Sequence, residues 1–338
     1  MSFSPIQGSA LIERQYKRYF GTMFRLKDPD YQSQFTEQLG SHSAFVAGPY
    51  LDAHDNFATG RTSREMVDEG LLPKYFLKYG FHHDRPLYTH QEQALTKALE
   101  GRNIVVSTGT GSGKTESFLM PILAALAVEA ERRTLCSGVR ALLIYPMNAL
   151  ANDQVERLRE LLENSPQVTF GCYTGQTKEK HTEALMEYEK LNGKKPHKNE
   201  LISREQMKET PPHILITNYA MLEYLMVRPW DSVFFNDNTW RFVVLDEAHV
   251  YRGSTGIEVS MLLRRLKATL RGCKLQYFLT SATLGDEDEN DAVAAFAESL
   301  TDESFSAKDV IRAVRMSVPE PDNPITVPNS LYCVFHQY

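Results

Sequence analysis

The sequence has few cysteines, and they are scattered. The four cysteines, at positions 136, 172, 273 and 333, form no CxxC pair and no Cys/His cluster with zinc-site spacing. A disulfide framework and a cysteine-ligated zinc module are therefore excluded as the organising feature of the chain. Free thiols in a reducing compartment are the simplest interpretation, and we expect a cytoplasmic protein.

Long hydrophobic runs are also missing. The longest mostly apolar stretch, residues 118–128, is shorter than the roughly 20 residues that a membrane-spanning helix needs. The first five residues lack the basic segment and apolar core of a secretory signal peptide. We therefore expect no membrane among the partners of this protein.

Positive charge is not in excess. The 338 residues carry 37 Lys and Arg against 43 Asp and Glu, which gives a formal net charge of −6. This excludes a globally basic nucleic-acid-binding protein, although it leaves room for a local basic groove. Eight of the acidic residues lie between positions 286 and 303, where there is no Lys or Arg, so the rest of the chain carries +2.

From residue 86 onward, short apolar runs alternate with helical patterns. Runs that are apolar throughout are typical of strands buried on both faces, as in a parallel sheet. The alternation predicts an α/β fold with a doubly wound sheet. The predicted strands are 103–107, 139–145, 167–172, 213–217, 242–245 and 275–279, and the predicted helices are 90–100, 114–132, 148–163, 219–227 and 256–271.

The segments around this pattern are less regular. Residues 1–85 are predicted to form a helical leader, with helices over 10–24 and 63–79, the second interrupted by Pro73. Residues 178–211 are polar and charged without a strand pattern, and we interpret them as an insertion. The α/β domain is then predicted to cover 86–304. A helix over 307–316 and a proline-rich tail are predicted to follow, up to residue 338.

A glycine-rich segment, STGTGSGKT at 107–115, lies between a predicted strand and a predicted helix. It matches the phosphate-loop pattern GxxxxGK[ST] at its end, while Thr108 stands where the first glycine usually is. Its glycines let backbone N–H groups turn towards phosphates, and the helix that follows offers its positive end. Lys114 is expected to reach the β- and γ-phosphates and Thr115 to bind Mg²⁺. The predicted ATP-binding residues of the loop are Thr108, Gly109, Thr110, Gly111, Ser112, Gly113, Lys114 and Thr115.

A second segment, FVVLDEAH at 242–249, delivers two adjacent carboxylates at the end of a strand. The carboxyl ends of the strands are where open α/β sheets place their sites. We expect Asp246 to hold Mg²⁺ and Glu247 to polarise the attacking water as a general base. An Asp-Glu pair alone is weak evidence, but together with the phosphate loop it predicts an ATP-hydrolysing site.

The order of these segments resembles the first RecA-like domain of a superfamily 2 DEAD/DEAH-box helicase. Within that superfamily, LDEAHVYRG resembles the large helicases of the MrfA/YprA group, which are Lhr- and RecQ-like. The resemblance covers residues 86–304, about two thirds of the chain. The segments that carry it are Gln91, STGTGSGKT, YPMNALANDQ, TNYAMLEYL, LDEAH and TSATL.

The resemblance implies roles for further residues. Gln91 matches the glutamine that reads the edge of adenine, and Tyr75 or Phe76 is a candidate to stack on the base. His249 is expected to hydrogen-bond towards Ser281 or Thr283 and to couple the nucleotide state to the movement of strands.

Three segments match the motifs that face nucleic acid in this superfamily. Each places small polar groups at the end of a predicted strand, where a helix N-terminus or backbone N–H groups can hold phosphates. Ordinary helix capping by Thr and Asn is the alternative for each segment taken alone. The loop after the DEAH segment is also expected near the nucleic acid. The predicted contact residues are Asn148, Thr174, Gly175, Thr217, Asn218 and Arg252.

The resemblance also implies a second RecA-like domain, which supplies an arginine finger to the ATP site. No QxxGRxGR-type segment lies between residues 284 and 338, so we expect one part of a larger or split helicase, with weak activity alone. Single-stranded DNA is favoured as the partner because the resembling group acts mainly on DNA. The alternatives are a nucleotide-sensing subunit that does not unwind nucleic acid and, less favoured, another phosphate-loop enzyme such as a kinase.

Overall fold

The computed structural model describes residues 5–40, 56–109, 111–235, 238–285 and 287–316, which divide into two compact units. The first unit takes the residues before 57 and after 316. Its described part includes helices α1 (Pro5–Met23) and α2 (Pro29–Gly40), and the ring of Phe24, directly after α1, lies 6.3 Å from that of Phe35 in α2. No helix of the described residues is long and apolar enough to cross a membrane.

The second unit, residues 57–316, is built on a parallel sheet. A short antiparallel pair, β1 (Thr59–Thr62) and β2 (Pro86–Tyr88), precedes it. The described strands of the main sheet follow the spatial order β10-β3-β9-β8-β4-β7-β5-β6, and all pairs are parallel. These strands are β3 (Ile104–Ser107), β4 (Ala141–Ile144), β5 (Phe170–Cys172), β6 (Glu200–Leu201), β7 (Ile214–Thr217), β8 (Phe242–Leu245), β9 (Gln276–Ser281) and β10 (Val310–Arg312).

Helices cover both faces of the sheet, so the predicted doubly wound fold is confirmed. Alternate residues of each buried strand point into two separate apolar cores, for example Leu143 into one and Leu142 into the other. Helices α3 to α6 pack on the first face and α8 to α11 on the second. The helices of this unit are α3 (Ser63–Asp68), α4 (Thr89–Leu99), α5 (Lys114–Glu131), α6 (Asn148–Leu161), α7 (His181–Asn192), α8 (Arg204–Glu209), α9 (Tyr219–Val227), α10 (Gly253–Thr269) and α11 (Asn290–Thr301).

The start of the compact unit differs from the predicted boundary at residue 85. Strand β1 pairs with β2, and Phe76 and Tyr79 are buried in the core beneath α5. Residues 57–85 therefore pack as part of the α/β unit, because their apolar side chains complete one face of it.

The helix predicted over 307–316 is wrong. Residues 307–309 form a single 3₁₀ turn, and β10 then pairs with β3 at the edge of the sheet. Val310 and Ile311 are buried on opposite faces, which a strand permits and a solvated helix does not. The insertion at 178–211 likewise contributes a strand, β6, in addition to α7 and α8.

Candidate functional site

The phosphate-loop segment joins β3 to α5 at the carboxyl edge of the sheet. Gly111 and Gly113 adopt φ angles of +75° and +73°, which L side chains rarely adopt, and Gly113 is the residue immediately before α5. Thr110 lies outside the described residues. The sequence therefore places glycine where the backbone of the loop requires it.

Two hydroxyls bind the loop from the inside. The Thr108 Oγ1 and Ser112 Oγ atoms are 2.6 Å apart, and the Ser112 hydroxyl donates to the carbonyl of Gly109 at 2.8 Å. Both side chains are buried. They hold the loop in shape, which leaves contacts with phosphate to its backbone and to Lys114.

Lys114 and the DEAH carboxylates lie together. The Nζ of Lys114 is 3.8 Å from Oε1 of Glu247 and has no hydrogen-bond partner among the described residues. Glu247 sits at φ +50°, a left-handed conformation that is uncommon for a residue other than glycine. A strained backbone at this position is typical of an active site.

Asp246 is half-buried and comes directly after β8. Burial raises the pKa of its carboxyl above the ordinary value, a hydrogen bond from the Thr280 hydroxyl opposes that shift, and the neighbouring Glu247 charge adds to it. A carboxylate in such a place is stabilised by a cation. Among the described residues there is no cluster of three or more metal-ligating side chains. Mg²⁺ nevertheless needs only one or two protein oxygens beside phosphates and water, so Asp246 and Thr115 fit it.

A cavity of about 600 Å³ opens beside the loop. Lys114, Thr115, Gln91, Phe81 and Tyr88 are among the residues that line it. Its volume and its mixture of apolar and polar walls are suited to a nucleotide.

Gln91 lies at the start of α4 and contacts the loop directly. Its Nε2 donates to the carbonyl of Gly113 at 3.1 Å, and its Oε1 accepts the backbone N–H of Tyr88 at 2.9 Å. One amide N–H and one lone pair remain for the edge of a base.

Neither candidate for stacking on the base lines the cavity. Phe76 is fully buried in the core, and the ring of Tyr75 carries the Lys78 ammonium at 4.5 Å. Phe81 and Tyr88 are aromatic residues that do line it. The position of Tyr88, directly before the helix that carries Gln91, is a sequence feature that could have indicated it.

The predicted coupling residues meet at the end of β9. His249 Nδ1 lies 3.0 Å from the Ser281 Oγ and 3.2 Å from Oε2 of Glu247, and the same Ser281 oxygen accepts the N–H of Thr283 at 3.1 Å. The Thr283 side chain itself is exposed. Thr280, which the sequence pattern did not single out, donates a hydrogen bond from its hydroxyl to Asp246. Thr280 and Ser281 are neighbours in β9, so this strand contacts Asp246 directly and contacts His249, the partner of Glu247.

Four of the six predicted nucleic-acid residues either bond to each other or are exposed, and the other two have buried side chains. Asn218 caps α9 through the N–H of Met221 at 2.8 Å, and its amide donates to Asn148 Oδ1 at 2.9 Å. Gly175 and Arg252 are exposed in nearby loops.

Thr217 and Thr174 do not present their side chains to solvent. The Thr217 hydroxyl is fully buried and donates to the carbonyl of Tyr173 at 2.7 Å. The Thr174 side chain is also buried, and its carbonyl accepts from Arg204 at 3.0 Å. The Thr217 hydroxyl thus ties β7 to the residue after β5, while the Thr174 hydroxyl accepts the N–H of Gln176 at 3.3 Å within its own loop.

Comparison with known proteins identifies the family of the chain. A family described as "DEAD/DEAH box helicase" matches residues 88–292. The Druantia protein DruE of Escherichia coli (strain UMEA 4076-1) is 30% identical over 91% of this chain and 22% of its own length. The ATP-dependent helicase YprA of Bacillus subtilis (strain 168), described as uncharacterised, is 32% identical over 60% of this chain and 24% of its own length.

Solved structures show the same fold. The DUF1998 helicase MrfA bound to DNA and AMPPNP superposes with a TM-score of 0.57 at 25% identity, over 76% of this chain and 30% of MrfA. The DEAD-box helicase Mss116, at 18% identity and a TM-score of 0.55, supports the RecA-like fold alone. The chain spans about a quarter of the length of the curated relatives it matches. It belongs to the DEAD/DEAH box helicases, and the family match at residues 88–292 includes the phosphate loop, the DEAH segment and strands β3 to β9.

Proposed function

We propose that the chain is the first motor domain of an ATP-dependent DNA helicase or translocase that uses Mg²⁺ and holds the backbone of a single strand. The observation that carries this proposal is the Lys114 ammonium. It is buried beside Glu247 without a hydrogen bond to the described residues, and Lys114 lines a cavity of nucleotide size.

The residues of the site divide the work of hydrolysis. Lys114 neutralises the charge of the β- and γ-phosphates, while Gln91, which lines the same cavity, orients the base. Asp246 and Thr115 would hold Mg²⁺, which neutralises charge on the phosphate oxygens. Glu247, within 3.8 Å of the lysine, accepts the proton of the attacking water.

The proposed nucleic-acid surface lies along the carboxyl edge of β4, β5 and β7. The bonded pair Asn148 and Asn218 joins the starts of α6 and α9, and the exposed Gly175 and Arg252 lie on loops after neighbouring elements. Contacts of this kind hold phosphates without reading bases. DNA is preferred over RNA because MrfA, at 25% identity, is described as bound to DNA.

The proposal includes a second RecA-like domain, in this protein or in a partner subunit. The matched segments cover only 22% and 24% of two relatives, and the resembling family takes its arginine finger from such a domain. A cytoplasmic location is part of the same proposal and is supported by the free Cys136, Cys172 and Cys273. Fractionation of cells that express a tagged chain tests the location.

ATP hydrolysis in the presence and absence of a single strand tests the function. The purified chain is expected to bind ATP with Mg²⁺ and to hydrolyse it slowly, with stimulation by oligo-dT that exceeds stimulation by oligo-rU. Glu247→Gln is expected to bind ATP but not to hydrolyse it, because the general base is gone.

Three results would count against parts of this proposal. ATP binding without stimulation, even after a second RecA-like domain from a relative is added, would favour a nucleotide-sensing subunit. Stronger stimulation by RNA would contradict the DNA preference. Unchanged hydrolysis in Glu247→Gln would contradict the assignment of the base.

A further inference from the structure

A histidine that the proposed mechanism does not use lies directly behind the phosphate loop. His90, in the first turn of α4, is fully buried. Its Nε2 lies 2.8 Å from the carbonyl oxygen of Ser112, while the neighbouring Gln91 donates to the carbonyl of Gly113. Two consecutive side chains of one helix thus hold two consecutive carbonyls of the loop.

The direction of the His90 bond is fixed by its partner. A carbonyl oxygen only accepts, so Nε2 carries the proton and donates it. Nδ1 is buried without a hydrogen-bond partner in the described part of the chain. Burial lowers the pKa of His90 below its ordinary value, which keeps the ring neutral. The ring therefore contributes a single donor, and that donor is aimed at the loop.

Aromatic contacts fix the orientation of the ring. The Tyr88 ring stacks on His90 with centroids 5.6 Å apart, and the Phe57 ring meets it edge-on at 5.7 Å. Tyr88 also lines the nucleotide cavity, whereas His90 does not. His90 thus acts on a nucleotide through the loop that it holds, without touching the nucleotide.

We propose that His90 is a positioning residue that holds the Ser112–Gly113 peptide in the conformation that binds the triphosphate. The proposal rests on the ATP site described above. Because Gln91 lines the nucleotide cavity and His90 does not, His90 sets the affinity for phosphates and leaves the choice of base unchanged. The two neighbouring side chains therefore have separable effects, one on the triphosphate and one on adenine.

Binding measurements on the full chain test this separation. Inorganic triphosphate, ATP and GTP are titrated by calorimetry into the wild type, His90→Phe and His90→Gln. Phe keeps the stacking but removes the donor, so the affinities for triphosphate and ATP are expected to fall about tenfold together. The ratio of ATP to GTP affinity is expected to stay at the wild-type value. Gln places an amide N–H at a similar distance from the backbone, so it is expected to restore binding.

His213→Phe is a matched control. His213 is also buried, and its Nε2 lies 3.0 Å from a backbone carbonyl, that of Cys136. It comes directly before β7 and therefore lies at the amino edge of the sheet, whereas the phosphate loop lies at the carboxyl edge. Both Phe variants are expected to lower the melting temperature, and only His90→Phe is expected to weaken triphosphate binding. If His90→Phe does not fold, His90→Asn, whose amide is too short to reach Ser112, replaces it.

The outcomes separate this proposal from the one on which it rests. A wild type that binds no ATP contradicts the proposed function. A wild type that binds ATP, with triphosphate affinity unchanged in His90→Phe or not restored in His90→Gln, overturns the role of His90. A changed ATP to GTP ratio in His90→Phe overturns it as well.

Discussion

At the scale of single residues, the Lys114 ammonium, which lies 3.8 Å from Glu247 and makes no hydrogen bond among the described residues, determines what the site can bind. Lys114→Ala is expected to weaken ATP binding at least a hundredfold, because the charge that meets the phosphates is lost. The nucleotide-free protein is expected to keep or raise its melting temperature, since a buried ammonium without a hydrogen bond destabilises the fold. Calorimetric titration and thermal unfolding measure the two effects.

Lys208 provides the contrasting case. Its Nζ lies 2.8 Å from Glu179 and 3.5 Å from the fully buried Asp231. Lys208→Ala is expected to lower stability by about 1–3 kcal/mol and to leave ATP affinity unchanged. Loss of stability in Lys114→Ala similar to that in Lys208→Ala would show that Lys114 is a structural residue.

The buried His213 makes stability depend on pH. Its Nδ1 accepts the N–H of Thr169 at 2.9 Å, so protonation would oppose a donor, and burial lowers its pKa from 6.5 to about 4. The unfolded chain takes up the proton near pH 6.5. Stability is therefore fully present above that pH and is lost by about 3 kcal/mol as pH falls from 6.5 to 4.

Urea unfolding at a series of pH values measures this loss. In His213→Gln, which cannot titrate, the part of the slope between pH 6.5 and 4 that belongs to His213 is expected to disappear. An unchanged slope would mean that other groups, such as carboxylates, account for the acid sensitivity.

At the scale of elements, the phosphate loop is held against α4 by close packing. A Cβ on Gly113 would lie 2.3 Å from Nε2 of Gln91, whereas a Cβ on Gly101, at a similar φ of +78°, would meet nothing within 4 Å. Gly101→Ala is expected to cost about 1 kcal/mol for its backbone conformation alone. Gly113→Ala is expected to cost more and to weaken discrimination between ATP and GTP, because it displaces Gln91.

Unfolding free energies and nucleotide titrations of the two variants check the comparison. Equal losses of stability, with base discrimination intact in Gly113→Ala, would contradict the role of the Gly113–Gln91 contact.

The sequence predicted the elements whose pattern is local. Strands β3, β4, β7, β8 and β9 and the helices between them are long, apolar and bounded by turns, so periodicity identifies them. Strands β6 and β10 have two and three residues, and they are strands only because a neighbour in the sheet pairs with them. The phosphate loop and the DEAH carboxylates were predictable because their chemistry needs fixed spacing. The contacts of Thr280, Tyr88 and the buried Thr217 depend on tertiary packing, which spacing does not encode.

At the scale of the whole molecule, the uneven charge has a structural explanation. The acidic stretch of the sequence includes α11, which packs beside α10 with its basic residues. Lys267 Nζ lies 2.8 Å from Glu303, and the Arg264 guanidinium lies 3.5 Å from Asp302. These basic residues of α10 are thus paired within the protein, and the exposed Arg252 at the start of the same helix is a better candidate for binding phosphates.

The limits of the compact unit give a prediction for the whole fold. Residues 57–316 are expected to fold alone and to keep the ATP affinity of the full chain, because they contain both apolar cores and the whole sheet. Residues 86–304, the domain that the sequence pattern indicates, lack β1, the buried Phe76 and Tyr79, and β10. Removing these exposes the face under α5 and the edge of β3, at a cost of several kcal/mol for each large buried side chain lost. Thermal unfolding followed by circular dichroism, together with ATP titration, compares the two fragments. Cooperative unfolding and ATP binding by the 86–304 fragment would show that residues 57–85 and β10 are dispensable additions to the motor domain.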